Sequence, residues 1–312
     1  MSSTVNFSEL NSAHLPEAVP FAVVTPPGYD QGGPWPLCLM LMGGGGKREH
    51  LAEMQPLLDT WWAEGSLAPM VLATPTAGMS YYLEDPEFSV RWETFLVQDL
   101  IPLLRTRFKV GTDRRSTALM GMSMGGYGAL KTAFAHPEMF VAIAAMNPMI
   151  EPGYVDADIG PRNRIHHSGG GPPRLIGPER DPELFAANNP AVRVRANRDR
   201  IRESGLAIYI ETGDQDFVNA HDGAEFLHRV LWDMDISHEY RLLQGADHLG
   251  PTVRPRMRDT LAWLSAVLAE PPAAPSPEQV ALDAMRAQLQ PIHDGAAASD
   301  PTARRRYGVM HR

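Results

Sequence analysis

The chain runs to 312 residues, 44% of them hydrophobic, enough for one large α/β domain or two small ones with a sizeable core. Its formal charge of −9, with scattered arginines and one dense basic run, Arg304–Arg306, in the tail, excludes a phosphate-binding face for nucleic acid. Cys38 alone excludes an intramolecular disulfide, no apolar run reaches membrane-spanning length, and Met1–Asn6 lacks the pattern of a signal peptide, so the expectation is a soluble, cytoplasmic protein.

Phe21–Val24 reads as a strand ending in the turn Pro26–Asp30. Leu37–Met42 is a continuous apolar run, as a strand covered on both faces requires, and it stops at Gly43–Gly46. Cys38 lies inside it as an inert core thiol, with no cation nearby to stabilise a thiolate. Glu49–Ala63 has helical spacing, placing Leu51, Met54, Leu57, Leu58 and Trp61 on one face, and Met70–Ala73 is the next buried strand. Trp92–Phe108 is an amphipathic helix interrupted at Pro102. Thr117–Met120 is a strand, and Gly126–Ala133 a helix of small residues. Phe140–Met146 and Leu206–Ile210 are strands, and a helix over Asp222–Asp233 leads to a last strand, Glu239–Leu243. Alternation of this kind implies an α/β domain over residues 1–270, with a mainly parallel central sheet flanked by helices. A ligand site is then expected at the carboxyl ends of the strands.

Two segments depart from the alternation. Asn147–Pro190 is rich in proline, glycine and arginine and reads as a loop-rich lid insertion; its Arg162, Arg164 and Arg174 are either attractors for an acidic substrate or solvated surface. Residues 271–312 form a C-terminal tail: a proline-rich linker from Pro271, a short amphipathic helix over Ser276–Gln290 using Val280, Leu282, Met285 and Leu289, and a disordered end over Asp294–Arg312. This tail is the candidate for contacts within a homo-oligomer.

The chemistry centres on Gly121-Met122-Ser123-Met124-Gly125. A Gly-x-Ser-x-Gly between a strand and a helix is a nucleophile elbow: the turn lifts the serine hydroxyl clear of the sheet, and the glycines remove the clashes that side chains would cause. The N–H of Met124, at the mouth of the helix, then faces a developing oxyanion. A serine hydroxyl needs a base, and an imidazole needs a carboxylate to fix its tautomer. His248, in the turn-rich loop after the last strand, is the candidate base; His221, His228 and His238 lie in or beside a helix or at the wrong end of a strand. Asp216 is the favoured acid, with Asp214 as a competitor that would instead order the turn. A second oxyanion donor is expected from Gly44 or Gly45, where the lack of side chains permits close approach. Lys47 after these glycines does not make the spacing of a phosphate loop. No metal-ligand spacing is present, His166-His167 reads as a solvent-facing pair, and no cofactor is implied. Met40, Met42, Met122, Met124, Met146 and Met149 gather near strand ends, as core or as an adaptable apolar pocket.

These residues also carry a resemblance. Val24–Tyr29, Gly43–Gly46 with Arg48–Leu51, Ser80–Tyr82, Trp92–Leu96, Asp99–Pro102, Gly121–Leu130 and His136–Phe140 form an ordered series. Over roughly Phe21–Leu268 the chain resembles the esterase D-like group of α/β-hydrolases, which spans S-formylglutathione hydrolases, enterochelin esterases, feruloyl esterases and mycolyltransferases. The resemblance implies an α/β-hydrolase fold, a triad of Ser123, Asp216 and His248, and Tyr81 and Tyr82 near the pocket mouth, where Met122 is also a candidate to meet substrate. The chain departs from the pattern at Met42, where family members often carry His. It also lacks the cysteine-containing segment that formylglutathione hydrolases have in place of Gly43–Gly46. The implied activity is that of a serine carboxylic-ester hydrolase acting on a small-molecule ester through an acyl-enzyme. An acyltransferase with the same triad is the alternative, and a non-catalytic binding protein a more distant one.

Overall fold

The computed structural model describes residues 2–168, 171–176, 180–269 and 276–299, with side chains at 165–168, 290 and 292–299 excepted. The strands are β1 Thr4–Leu10, β2 Val19–Thr25, β3 Leu37–Leu41, β4 Val71–Pro75, β5 Glu84–Asp85, β6 Val90–Arg91, β7 Thr117–Met122, β8 Ala142–Met146, β9 Ala207–Gly213 and β10 Glu239–Leu243. Apart from the β5–β6 hairpin they build one eight-stranded sheet in the order β1-β2-β4-β3-β7-β8-β9-β10. Every pair from β4 to β10 is parallel, while β1 and β2 add an antiparallel edge.

Period-two alternation distributes the strand side chains between two cores. Leu37, Leu39, Leu41, Leu119, Ile143 and Ile210 pack with Phe95, Leu130 and Phe134 on one face. Cys38, Met40, Ala118, Met120, Ala144 and Met146 pack with Leu58, Trp61, Leu261 and Leu264 on the other. Both faces are covered, which is why these strands read as unbroken apolar runs. Burial pushes the Cys38 thiol up to about 12, so it stays a protonated core residue.

The topology places the site. From β3 the chain winds one way to β4 and, after returning, the other way through β7 to β10, so the order reverses between β3 and β7. Crevices open at such reversals. The register Leu41↔Gly121 sets the segments that follow, Gly43–Gly46 and Ser123, side by side at the carboxyl edge.

Several expectations are corrected. Glu49–Ala63 is two helices, Arg48–Glu53 and Gln55–Ala63, broken at Met54 where Pro56 begins a new first turn. Trp92–Arg107 is not interrupted at Pro102: the turns over Phe95–Leu100 widen to π-type bonding and accommodate the missing N–H, and Pro102 opens the α-helical stretch Ile101–Arg107. β1 was not evident, because an edge strand with one polar face carries little apolar signal. Helices over Pro190–Ala196, Arg198–Ser204 and Val253–Ala269 were likewise unforeseen. The tail helix runs from Pro277 to Ser299, through the alanines past Asp294 where composition suggested disorder, and Val280, Leu282, Met285 and Leu289 are exposed on it. The linker at 271–275 and the end at 300–312 lie outside the described residues.

The insertion carries 3₁₀ turns over Asp156–Asp158 and Pro161–Ser168 and a helix over Pro182–Asn188. It is tied to the body by buried polar bonds. The Asn188 amide donates to the Glu84 and Leu184 carbonyls, both at 3.0 Å, and its oxygen accepts from the Glu84 N–H at 2.9 Å. Tyr127 donates its hydroxyl to the Asn188 carbonyl at 2.8 Å. Arg174 bridges Asp85, Glu87 and Asp181 at 3.0, 2.8 and 2.7 Å.

Candidate active site

The elbow glycines are needed because strand and helix touch. A Cβ on Gly121 would stand 2.1 Å from the Gly125 carbonyl oxygen, and one on Gly125 1.8 Å from that of Leu41. The turn between β7 and the helix Met124–Ala135 forces Ser123 to φ 57° and ψ −122°, a region that L-residues avoid. Ser123 is pinned there by its N–H to the Met146 carbonyl at 2.9 Å, and its own carbonyl accepts from Tyr127 and Met149, both at 3.1 Å.

The Ser123 hydroxyl oxygen lies 2.9 Å from His248 Nε2, and His248 Nδ1 lies 2.7 Å from Asp216 Oδ2. The other Asp216 oxygen accepts the N–H groups of Val218 at 3.0 Å and Ala220 at 3.2 Å. Burial acts to raise the Asp216 carboxyl, but the hydrogen bond and charge of His248, together with those N–H groups, outweigh it and hold the group below the usual carboxylate range. Asp214 accepts the Gly245 N–H at 2.7 Å and so orders the turn rather than the imidazole. Asp247 accepts the N–H groups of Phe217 and His248 and leaves the ring alone. Phe217 sets its ring edge-on to His248, centroids 5.7 Å apart. The other late histidines are elsewhere: His228 and His238 bond each other at 2.8 Å, and His221 faces Asp222.

The glycine run separates into distinct roles. Gly45 donates its N–H to the Gly78 carbonyl and Gly46 to that of Gly43, both at 2.9 Å, so Gly45 is not a free oxyanion donor. The N–H groups of Gly44 and Met124 have no hydrogen-bond partner among the described residues. Gly43 lies against Ser123, a Cβ there falling 3.3 Å from the serine Cβ.

These groups open onto a cleft of about 290 Å³ lined by Gly43, Gly44, Met79, Tyr81, Met122 and Met124, with Met149, Val218 and Leu249 beside Ser123 and His248. Tyr81, at φ 52°, gives its N–H to the Met124 sulfur and is one of the residues lining the cleft. Tyr82 corrects the sequence expectation. It is fully buried behind the site, its hydroxyl on the Met42 carbonyl at 3.1 Å and its ring against Trp92, because the adjoining left-handed residues turn the two tyrosines apart. Met122, Met124 and Met149 line the cleft, whereas Met40 and Met146 belong to the core.

The insertion arginines are paired away from the cleft: Arg162 with Asp222, Arg164 with Asp156 and Arg174 with its acidic cluster. Met149 is its one described residue lining the cleft. Sequence reasoning missed Met79, Val218 and Leu249; the last two lie within two residues of Asp216 and His248, and Met79 follows the carboxyl end of β4, which was signal enough. Among the described residues no cluster of His, Cys, Asp and Glu is arranged for a metal, and no helix is long and apolar enough to cross a membrane. The His166-His167 side chains lie outside the description.

The fold recurs in solved structures. A ferulic acid esterase superposes with a TM-score of 0.69 at 20% identity, covering 86% of this chain and 100% of that one. The S-formylglutathione hydrolase from Agrobacterium tumefaciens gives 0.67 at 19% identity, covering 86% and 96%. Sequence relatives match over shorter stretches. An acetyl esterase of Caldicellulosiruptor saccharolyticus is 34% identical over 73 residues, 23% of this chain and 27% of that protein. The diacylglycerol acyltransferase/mycolyltransferase Ag85A of Mycobacterium leprae is 32% identical over 62 residues, 20% of this chain and 18% of that protein. The chain thus spans about a quarter or less of the length of these relatives. With an α/β-hydrolase sheet, an elbow serine at its switch point and the Esterase ("Putative esterase") family model matching residues 12–255, the chain belongs to that esterase family.

Proposed function

We propose that the protein is a serine carboxylic-ester hydrolase that works through an acyl-enzyme on Ser123. The observation that carries this reading is the unbroken chain Asp216–His248–Ser123, with contacts of 2.7 and 2.9 Å, at the mouth of an open apolar cleft. His248 accepts the hydroxyl proton as Ser123 attacks the ester carbonyl, while Asp216 holds the ring and stabilises its charged form. The N–H groups of Met124 and Gly44 receive the oxyanion. Collapse expels the alcohol with the proton from His248; water, activated by the same imidazole, then releases the acid and restores Ser123.

Among the described residues that line the cleft there is no Asp, Glu, Lys or Arg, which favours small neutral esters with an apolar acyl group. Among the described residues of the insertion only Met149 borders the cleft, so none of them seals Ser123 from water, which favours hydrolysis over acyl transfer. The test is a set of initial rates on p-nitrophenyl esters of increasing chain length, for wild type and Ser123→Ala, with product partition measured in added alcohol. Turnover by wild type, a loss of at least about a thousandfold in the variant, and partition to water are expected. Turnover that survives in Ser123→Ala would sink the mechanism; partition mainly to the alcohol would make the protein a transferase.

A further inference from the structure

The loop that carries His248 has no ladder to hold it. It leaves β10 through Gly245 at φ 72° and turns again at Gly250 at φ 95°, yet it must present both imidazole nitrogens within hydrogen-bond reach of side chains from other strands. Its start is tied to the segment after β9 through Gly245, Ala246 and the Asp247 side chain, and its last carbonyls are held from the other side. The Asp247 carbonyl accepts from Arg256 Nη1 at 2.7 Å, and the His248 carbonyl from the Asn147 amide at 3.4 Å.

Arg256 stands in the first turns of the helix Val253–Ala269, and only 6% of it is exposed. Its guanidinium forks onto the Glu211 carboxylate, Nε and Nη2 each 2.8 Å from an oxygen. Nη2 also donates to the Asn147 side-chain oxygen. That oxygen accepts a second bond, from the Gly213 N–H at 3.2 Å, and the Asn147 N–H bonds the Glu211 carbonyl at 2.8 Å. Asn147 sits at φ 39°, a left-handed conformation that asparagine tolerates better than most residues. Thus the ends of β8 and β9 and the loop after β10 converge on one planar cation. Glu211 and Gly213 also lead directly into the loop that carries Asp216.

We infer that Arg256 is a positioning residue for the reaction: backed by Glu211 and Asn147, it sets the distance of the His248 loop from Ser123 and Asp216. This rests on the triad reading above. A buried ion pair alone is weak evidence of function, since well-packed apolar replacements are often as stable. Here the donors left after the carboxylate is satisfied go to the Asp247 carbonyl and to Asn147, which itself holds the His248 carbonyl. A lysine could neutralise Glu211 but has no fork to reach these acceptors together. Arg256 does not line the cleft, so its loss acts on turnover and not on substrate binding.

The experiment compares Arg256→Met, Arg256→Lys, the pair Arg256→Met/Glu211→Leu, and Ser123→Ala. Readouts are kcat and KM on p-nitrophenyl acetate, per mole of folded protein, alongside the melting temperature. Misplacing a catalytic group by about 1 Å costs on the order of a hundredfold. Arg256→Met and the double variant are therefore expected to lose roughly thirtyfold or more in kcat with KM within about threefold of wild type. Arg256→Lys remains at least about tenfold slow although its charge opposite Glu211 is kept. The double variant, with no orphaned carboxylate, regains the melting temperature without regaining kcat. If kcat returns together with stability in the double variant, or Arg256→Lys is fully active, the positioning role is overturned. Activity in Ser123→Ala would instead refute the triad reading, independently of Arg256.

Discussion

Lys131 is the most demanding residue in this fold, and replacing it gives a sharp test of the buried electrostatics. It lies on the nucleophile helix with no exposed surface, its ammonium 3.5 Å from Glu93 and 3.0 Å from the Asn188 amide oxygen. Desolvation dominates over the pull of Glu93 and pushes the ammonium down from 10.5 to about 8. Below pH 8 the lysine is charged in both the folded and unfolded chains, and its burial penalty is constant. Between pH 8 and 10.5 the folded chain releases the proton first, so stability rises with pH in that window. At 1.36 kcal/mol per pH unit this contributes on the order of 2 kcal/mol between pH 7 and pH 10. Cys38 and the buried Tyr82 and Tyr127, all raised by burial, oppose this in alkali, but equally so in a variant that keeps them. Lys131→Met is therefore expected to lose the lysine's share: the stability of wild type relative to the variant grows by on the order of 2 kcal/mol from pH 7 to pH 10. Urea midpoints and slopes at half-unit pH steps measure it. Parallel stability curves for the two proteins would refute the reasoning.

The partner behaves in the opposite sense. Burial acts to raise Glu93, but Lys131, His136 and Arg193 outweigh it and hold the carboxyl at about 2, so its stabilisation is complete above the unfolded value of 4.5 and is lost as pH falls through 2. Acid melts should show about 3 kcal/mol lost across that window, and a Glu93→Gln variant should be less stable at pH 7 and flatter in acid. At the triad, Asp216→Asn should cut kcat roughly a thousandfold or more, whereas Asp214→Asn should cost about 1 kcal/mol in denaturant and leave kcat nearly intact. Equal kinetic losses would mean that the acid is misassigned. Gly125→Ala should fail to fold at 37 °C, because its Cβ would meet the Leu41 carbonyl oxygen at 1.8 Å, while Gly45→Ala, at φ 74° with open space around it, should cost only about 1 kcal/mol. Circular dichroism melts of the two separate backbone strain from collision.

What could be read from the chain follows from where chemistry constrains spacing. That Ser123, Asp216 and His248 would meet was legible because an elbow needs its glycines and because site residues in a parallel sheet follow the strands. Asp214 could not be dismissed from sequence; only its bond to the Gly245 N–H assigns it to the turn. Gly44 and Gly45 were equivalent until hydrogen bonding consumed one of them. Tyr81 and Tyr82 look alike in sequence, and only successive left-handed conformations separate the cleft residue from the core residue. Arg256 was invisible among many arginines, since Asn147, Glu211 and Arg256 are brought together by the ends of different elements and share no local pattern. Lys131 likewise read as one polar position in a small-residue helix, and its burial depends on the insertion packed across it.

The way the insertion is fastened has a kinetic corollary. Asn188 and Arg174 secure it through buried amide bonds and a carboxylate cluster, and none of that grip would weaken at an oil–water boundary. Enzymes whose mouth is covered by a hinged amphipathic helix wait for such a boundary to peel the helix away, and their rates leap when substrate begins to form droplets. Among the described residues no helix of the insertion lines the cleft, so velocity should track dissolved ester alone. It should saturate smoothly and level off, without a jump, when the substrate passes its solubility limit.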